Sequence, residues 1–203
     1  MTRKSNEKLW NHLINELDDF TIQAGWFENS RYDSDTPIAY VAAIQNYGCT
    51  FEHPGGTPYY INATTGLPQF VSKDSVTGRY LSKNGILTKS HWITIPARPF
   101  MDNAKKRIEG QEGIQILLQE LLKVFEGRQT MNQAVNRLGM WAQKIIQDEI
   151  RAMNSPALKR DTVRKREKQY SSKKKKTSVT PNKPLVDTGL MLAEVQYKAE
   201  RKQ

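Results

Sequence analysis

The spacing of apolar residues along the chain predicts helices mixed with strands. An N-terminal helix is indicated by apolar residues three and four positions apart, at Leu9, Trp10, Leu13, Ile14 and Leu17. Apolar and polar residues then alternate over 20–26, which is the period of a strand. A second, shorter helix follows, with Thr36 as its N-cap, Pro37 at its first position and Gly48 beyond its end.

Two long amphipathic helices are predicted in the second half of the chain. The first carries an apolar stripe over 108–125, which Gly110 and Gly113 should weaken or bend. The second begins at a capping box formed by Thr130 and Gln133, and its apolar stripe continues to Met153. Because a short loop joins them, we expect these helices to pack antiparallel over a sheet.

Residues 49–90 have a different pattern, in which turn residues separate short apolar runs. Asn84 and Gly85 lie between two such runs and form the pair that a two-residue type I′ hairpin requires. We therefore expect a β-ribbon or loop excursion inserted before the strand of sequence HWITIP. Excursions of this kind more often contact a neighbouring molecule than fill a core.

The pattern as a whole predicts an α+β fold: a small, mostly antiparallel sheet packed by the two long helices. Residues 1–154 should form the body, with the excursion at 49–90 inserted in it. A basic flexible loop is expected at 155–183. The apolar stretch in 184–203 should form a C-terminal element that packs back on the body.

Charge is concentrated in one segment of the 203 residues. The chain has 31 basic and 21 acidic side chains, a net charge of +10, and the ten basic and two acidic residues between Lys159 and Lys176 account for +8 of it. The scarcity of large apolar residues there predicts extended or disordered chain in isolation. Its residues can contact DNA phosphates, contact an acidic protein surface or only keep a linker soluble; the candidates for contact are Arg164, Lys165, Arg166, Lys173, Lys174, Lys175 and Lys176.

Motifs of catalysis and metal binding are weak in this sequence. LVDTG, at 185–189, matches the aspartic-protease motif, but the 14 residues after Gly189 are fewer than the rest of such a site needs. We therefore expect Asp187 to form a turn or helix cap. The three histidines and Cys49 lack partners at catalytic or metal-ligand spacing, and no apolar run is long enough for a membrane span. The sequence predicts a protein that is not an enzyme and has no cofactor.

The segment from Ser90 to Ala104, SHWITIPARPFMDNA, places an arginine between two prolines where a strand meets a helix. Pro96 and Pro99 restrict the backbone, so Arg98 is held at a stiff corner and can make a bidentate hydrogen bond. Phe100 should lie in the core below it. Two alternatives remain open for Arg98: a bond to Asp102 or another residue of its own subunit, or a contact between subunits.

Four stretches recur in an order typical of one protein family: YVAAIQNYG at 40–48, ITIPARPFM at 93–101, ALKRDTVRKRE at 157–167 and KPLVDTGLM at 183–191. In this respect the chain resembles the tail-completion and neck proteins of tailed bacteriophages, the minor tail protein Z-like head-to-tail joining families. The resemblance covers roughly residues 36–195. Asn46 stands where an acidic residue is common in that family.

The resemblance implies a structural protein of the virion, made in the bacterial cytoplasm and located between the DNA-filled head and the tail. It implies assembly as a homo-oligomeric ring and contacts with tail-terminator, head-closure or tail-tube proteins. No membrane contact is expected, and non-specific contact with DNA is the alternative role of the basic segment. The residues expected to take part in protein contacts are Pro96, Arg98, Pro99, Phe100, Asp187 and Gly189.

Overall fold

The computed structural model describes residues 3–64, 66, 68–172 and 181–202, and these form an α+β protein. The chain divides into two compact units, one made of 1–47 and 96–203 and one made of 48–95. In chain order the elements are α1 (Arg3–Asp18), β1 (Phe20–Gly25), α2 (Ile38–Tyr47), β2 (Cys49–His53), β3 (Tyr59–Ile61), β4 (Pro68–Phe70), α3 (Val76–Lys83), β5 (His91–Ile95), α4 (Phe100–Glu109), α5 (Gln111–Phe125), α6 (Met131–Ala152), α7 (Arg160–Ser172), α8 (Leu190–Ala193) and β6 (Gln196–Arg201).

The sheet of the first unit joins the two ends of the chain. Strands β1 and β6 pair antiparallel, from Phe20 opposite Arg201 to Gly25 opposite Gln196. The long helix α6 packs against both strands. Strand β1, which the alternation of apolar residues predicts, is therefore part of a small antiparallel sheet covered by a helix.

Two apolar clusters line α6, which is about 33 Å long at 1.5 Å per residue. Its first half packs against α1 and α5, through the buried residues Leu13, Leu121, Met131, Ala134 and Val135. Its second half packs against α2, α4 and the last part of the chain, through Ile38, Ala42, Phe100, Ala104, Ile145, Ile146, Ile150, Leu185, Met191 and Val195. The residues after the basic segment are thus part of the core.

The predicted capping box of α6 is confirmed: Thr130 Oγ1 accepts a hydrogen bond from Gln133 N, and Gln133 Oε1 accepts one from Thr130 N. The helix before it, however, is divided at Gly110, which is extended and ends α4 before α5 begins. Arg107 crosses this break, donating to Glu112 of α5 and to Glu149 near the end of α6. Helix α5 therefore runs back along α6, antiparallel to it.

The second unit contains two antiparallel ribbons, β2 with β5 and β3 with β4, and the helix α3. The predicted hairpin at Asn84 and Gly85 is wrong. Asn84 is the C-cap of α3 and Gly85 follows it with a φ of +69°, since an asparagine–glycine pair can end a helix as readily as it can turn a hairpin. The strand HWITI belongs to this unit, paired with β2, and not to the body.

The basic segment differs from the sequence expectation. Residues 160–172 form α7, so the prediction of a flexible, extended loop over 155–183 is wrong for this part. The physical reason is that one face of α7 is partly buried, through Thr162, Val163 and Arg166, while Arg160, Arg164, Lys165 and Glu167 are exposed. A helix can be stabilised by packing of this kind even where its own sequence is a poor helix former.

Candidate protein-interaction site

The proline corner begins α4. Pro99 occupies the N-cap position and, having no suitable side chain, makes no side-chain cap. Phe100 is fully buried, as the sequence predicts, and meets the ring of Trp26 edge-on with centroids 6.1 Å apart. Pro96 and Pro99 therefore fix the backbone just before a residue that anchors the corner in the core.

Arg98 lies inside the protein, with only 4% of the residue exposed. Its Nη1 donates to Gln45 Oε1 at 2.8 Å, its Nε donates to the carbonyl of Pro156 at 3.0 Å, and its backbone N–H donates to the carbonyl of Gln45 at 2.8 Å. Of the two sequence alternatives, the bond within its own subunit is the one observed, with Gln45 and Pro156 in place of Asp102. Burial lowers the pKa of Arg98, and the nearby charge of Arg166 lowers it further.

Asn46, at the end of α2, supplies the cap that Pro99 cannot. Asn46 Oδ1 accepts a hydrogen bond from Met101 N at 2.9 Å, and its Nδ2 donates to Asp102 Oδ2 at 3.0 Å. One of the free N–H groups in the first turn of α4 is thereby satisfied from a different helix. Sequence reasoning did not identify Gln45 or Asn46 as site residues, although two amides ending an otherwise apolar helix were a visible signal.

Arg166 and Asp187 are paired with each other. Arg166 Nε lies 3.2 Å from Asp187 Oδ1, and Arg166 Nη1 donates to the carbonyl of Lys183 at 2.7 Å. The prediction that Arg166 reaches out to DNA or an acidic surface is therefore wrong, because its guanidinium turns inward and is nearly buried. Gly189, two residues after Asp187, adopts a left-handed φ of +82° as the N-cap of α8, a conformation that glycine takes without strain.

The other predicted contact residues fall into two groups. Arg164 and Lys165 are exposed on the outer side of α7. Lys173, Lys174, Lys175 and Lys176 lie outside the described residues.

A cleft of about 380 Å³ opens between α2, α7 and the turn before α8. Apolar side chains form part of its wall, and Tyr32, Gln45, Arg166 and Asp187 supply its polar groups. Burial raises the pKa of the Tyr32 hydroxyl, and the negative charge of Asp187 raises it further. A cleft that combines apolar walls with polar groups is suited to receiving a side chain or a small ligand.

Two histidines of the second unit lie close together. His53 and His91 face each other across β2 and β5, with ring centroids 5.0 Å apart. Within residues 3–64, 66, 68–172 and 181–202, no group of three or more His, Cys, Asp and Glu side chains could hold a metal ion. No helix in the described part of the chain is long and apolar enough to cross a bilayer.

All four stretches that carry the bacteriophage resemblance thus meet at one place. The end of α2 contacts the corner through Gln45 and Asn46, and Arg166 of the third stretch pairs with Asp187 of the fourth beside Arg98. No protein-family model matches the chain, and the comparisons with curated proteins and with solved structures find no match either.

Proposed function

We propose that this chain is a structural, non-enzymatic protein of the neck or tail of a tailed bacteriophage. Its role is to join head and tail by assembling with copies of itself and with neighbouring neck and tail proteins. The observation that carries the proposal is that the stretches responsible for the resemblance are far apart in sequence but contact one another in the fold. A contact of this kind is a reason for the stretches to occur together.

The contacts at this place would serve a rigid assembly component. Arg98 is hydrogen-bonded to α2 and to the segment after α6. Asn46 links α2 to α4, and Arg166 links α7 to the turn at Asp187. These polar bonds therefore involve five segments, and those made by Arg98 and Asn46 are partly buried, where such bonds are worth more than at the surface. A rigid block loses little conformational entropy when it binds, which favours assembly.

The partners follow from the resemblance: tail-terminator, head-closure or tail-tube proteins, and further copies of this chain in a ring. The assembled protein would lie in the virion after synthesis in the bacterial cytoplasm. Assembly requires neither a cofactor nor a catalytic residue.

The proposal is tested by deleting the reading frame from the phage genome and imaging the particles by negative-stain electron microscopy. Filled heads and separate tails are the expected result, and the protein supplied from a plasmid should restore joined particles. Normal, infectious particles from the deletion would overturn the proposed role.

Non-specific binding of DNA is a second candidate function, favoured by the outer side of α7. Arg160, Arg164 and Lys165 are exposed there, within two turns of one helix. Lysine and arginine clusters bind phosphates without sequence preference and release counterions, so the affinity falls steeply with salt. The two functions are compatible, because a neck ring surrounds the path of the DNA.

This second candidate is tested with the double variant Arg164→Ser, Lys165→Ser and a fluorescent DNA duplex. If α7 contacts phosphates, the slope of log affinity against log salt should decrease by about 2. The matched control is Glu167→Gln, an exposed change on the same helix that should not weaken binding. An unchanged slope in the double variant would exclude α7 as the contact.

A further inference from the structure

The cleft between α2, α7 and the turn before α8 has both apolar and charged walls, and we call it the α2–α7 cleft. Its volume is about 380 Å³, and the described residues that line it all belong to the first unit. Its apolar walls include Val41, Leu185 and Met191. Among the described lining residues, the charged ones are Arg166 and Asp187, which pair with each other at 3.2 Å. The charges in these walls therefore balance.

A second buried arginine adjoins the cleft. Arg98 Nη1 donates at 2.8 Å to the side chain of Gln45, which is part of the cleft wall. Arg98 Nε donates to the carbonyl of Pro156, so both of these acceptors are uncharged. Burial lowers the pKa of Arg98, and the charge of Arg166 lowers it further. The two guanidiniums are therefore close enough to repel each other.

One carboxylate serves these two arginines. All 21 acidic side chains belong to residues that the structure describes; among them Asp187 is the one that lines the cleft, and none forms an ion pair with Arg98. The site therefore holds one more positive than negative charge. Arg98 is 4% exposed and the side chain of Arg166 is 12% exposed, so water solvates this surplus poorly. A buried charge without a counter-charge is costly, and an added anion would remove part of that cost.

Several donor groups at the cleft have no acceptor in the described part of the chain. Gln45 Oε1 is bonded to Arg98, but the Nε2 of the same amide has no acceptor among those residues. Arg166 uses Nε and Nη1, whereas its Nη2 is not bonded to any of them. The Tyr32 hydroxyl is not bonded to them either, and because burial and the charge of Asp187 raise its pKa, it stays protonated and can donate. The ligand that fits such donors is an oxygen acceptor with a negative charge.

We propose that the α2–α7 cleft binds a glutamate or aspartate side chain of a partner protein, with an apolar neighbour of that residue packed against Val41, Leu185 and Met191. The carboxylate supplies the negative charge that the two arginines lack. Arg166 stays turned inward in this arrangement, because the partner's side chain enters the cleft. This inference rests on the proposed role in assembly and deepens it, by naming the chemistry of the partner segment.

Two further observations favour an acidic protein segment as the occupant. The apolar walls suit a peptide, which can place an apolar side chain beside its carboxylate, whereas the phosphate backbone of DNA has no such group to offer. The net charge of the chain is +10, so an acidic partner is attracted to it as a whole.

The probe is the pentapeptide GLELG with both ends blocked, so that its glutamate is the one charge. The matched peptides are GLQLG, which keeps the shape and loses the charge, and GLKLG, which reverses the charge. Each is titrated into the full-length protein labelled with ¹⁵N, and the Nε–H signal of Arg166 is followed by NMR. We expect GLELG to shift this signal with a Kd at least about tenfold lower than that of GLQLG, and GLKLG not to bind. No shift with GLELG up to about 10 mM, equal binding of GLELG and GLQLG, or tighter binding of GLKLG would overturn the proposal.

Two substitutions change the charge of the cleft in opposite directions. Asp187→Asn removes the carboxylate and should strengthen binding of GLELG by about threefold or more, whereas Arg166→Gln removes a cation and should weaken it at least about tenfold. The control is Arg151→Gln, at an exposed arginine of α6 that also pairs with an aspartate, Asp148, and it should change the Kd by less than about twofold. The reverse order of the two cleft variants would show a site for cations at Asp187 and would refute the proposal.

A substitution in the apolar wall decides the case in which Arg166→Gln does not fold. Val41→Glu places a carboxylate of the chain's own at the cleft without changing either arginine, so it should abolish binding of GLELG. Val41→Gln, a change of the same size without the charge, should bind GLELG at least about tenfold more tightly than Val41→Glu does. Equal binding by the two Val41 variants would contradict the proposal.

A DNA duplex tests the other class of anion. An excess of duplex should leave the GLELG complex of the wild type in place, and displacement of the peptide would assign the cleft to phosphate and overturn the proposal. None of these results depends on the phage-deletion experiment. A deletion that leaves heads and tails separate would still support the neck role if the cleft bound no peptide, so failure of one proposal can be told from failure of the other.

Discussion

Asn46 in α2 accepts a hydrogen bond from the backbone N–H of Met101 in α4 at 2.9 Å, so the first turn of one helix is capped by another. The prolines of the corner make this arrangement necessary, because Pro99 at the N-cap position has no side chain that can accept the bond. Asn46 is 2% exposed, and its Nδ2 is bonded to Asp102. Both ends of the amide are therefore used inside the protein.

Replacing Asn46 should destabilise the fold. In Asn46→Ala the partly buried N–H of Met101 loses its acceptor and Asp102 loses a donor, which costs about 1–3 kcal/mol. The free energy of unfolding is measured by urea denaturation. Asn11→Ala, at an exposed position of α1, is the control and should change it by less than about 0.5 kcal/mol. An Asn46→Ala protein as stable as the control would show that the cap does not contribute to the stability of the fold.

Arg98 should matter for stability rather than for surface contact. Arg98→Ala leaves Gln45 Oε1 and the carbonyl of Pro156 without their donor, at a cost of about 1–3 kcal/mol in the free energy of unfolding. Arg98→Lys should recover only part of the loss, because a single ammonium group does not reproduce the fixed fork of the guanidinium. Urea denaturation measures both variants.

The control for Arg98 is Arg164→Ala, an exposed arginine of α7, which should change stability by less than about 0.5 kcal/mol. If Arg98→Ala matched this control, the buried hydrogen bonds of Arg98 would contribute nothing to stability. The corner would then owe its rigidity to the prolines alone.

How much the sequence could predict differs between elements. The capping box of α6 is local, involving Thr130 and Gln133 three positions apart, and periodicity with cap chemistry was sufficient to find it. The partners of Arg98 lie 53 and 58 residues away, so no local pattern could identify them. The α+β class follows from alternating periods, but pairing of β1 with β6 depends on the whole fold.

Two predictions failed because local signals allowed more than one outcome. Asn84 and Gly85 satisfy both a hairpin turn and a helix end, and the tertiary structure places them after α3. The low apolar content of 160–172 suggested disorder, but these residues form α7, in which Val163 is partly buried and the guanidinium of Arg166 turns inward. Arg166 was expected to contact DNA or an acidic surface, and Asp187 was expected to take part in protein contacts, but the two residues pair with each other.

Glu120 should make stability depend on pH in the acidic range. Burial raises the pKa of this carboxyl, but the hydrogen bonds from Lys123 and Gln129 and the positive charges of Lys123 and Arg137 together outweigh burial. The pKa therefore lies below its usual value of 4.5. Since the folded pKa is lowered, the stabilisation is fully present above about pH 4.5 and is lost as the pH falls through the lowered pKa. Glu120→Gln should therefore be less stable than the wild type by about 1–3 kcal/mol at pH 7.

Thermal or urea unfolding at several pH values measures this difference. The gap between the wild type and Glu120→Gln should become smaller as the pH falls below about 4.5. Glu7→Gln, an exposed change on α1, serves as the control and should alter stability at pH 7 by less than about 0.5 kcal/mol. A gap that stays constant down to pH 2 would mean that the charge of Glu120 is not what stabilises the protein.

Replacing either of two helical glycines with alanine should lower the stability of the fold, although this change normally stabilises a helix. In a helix interior, alanine is normally more stable than glycine by about 1 kcal/mol. At Gly113 of α5, however, a Cβ would lie 1.7 Å from the carbonyl oxygen of Ile108 in α4. At Gly139 of α6, it would lie 2.2 Å from the ring of Tyr197 in β6. Both substitutions should therefore destabilise the fold.

An added Cβ would meet a side chain at Gly139 and backbone at Gly113, and this difference can be measured. At Gly139 the obstacle is a side chain, so Tyr197→Ala should remove the clash, and the double variant should be more stable than the sum of the single effects by about 0.5–3 kcal/mol. At Gly113 the obstacle is backbone, so Ile108→Ala should give no such coupling. Urea denaturation of both double-mutant cycles measures the coupling energies. Equal coupling in the two cycles would contradict the packing of α4 against α5 described here, because a side-chain change cannot move a backbone carbonyl out of the way.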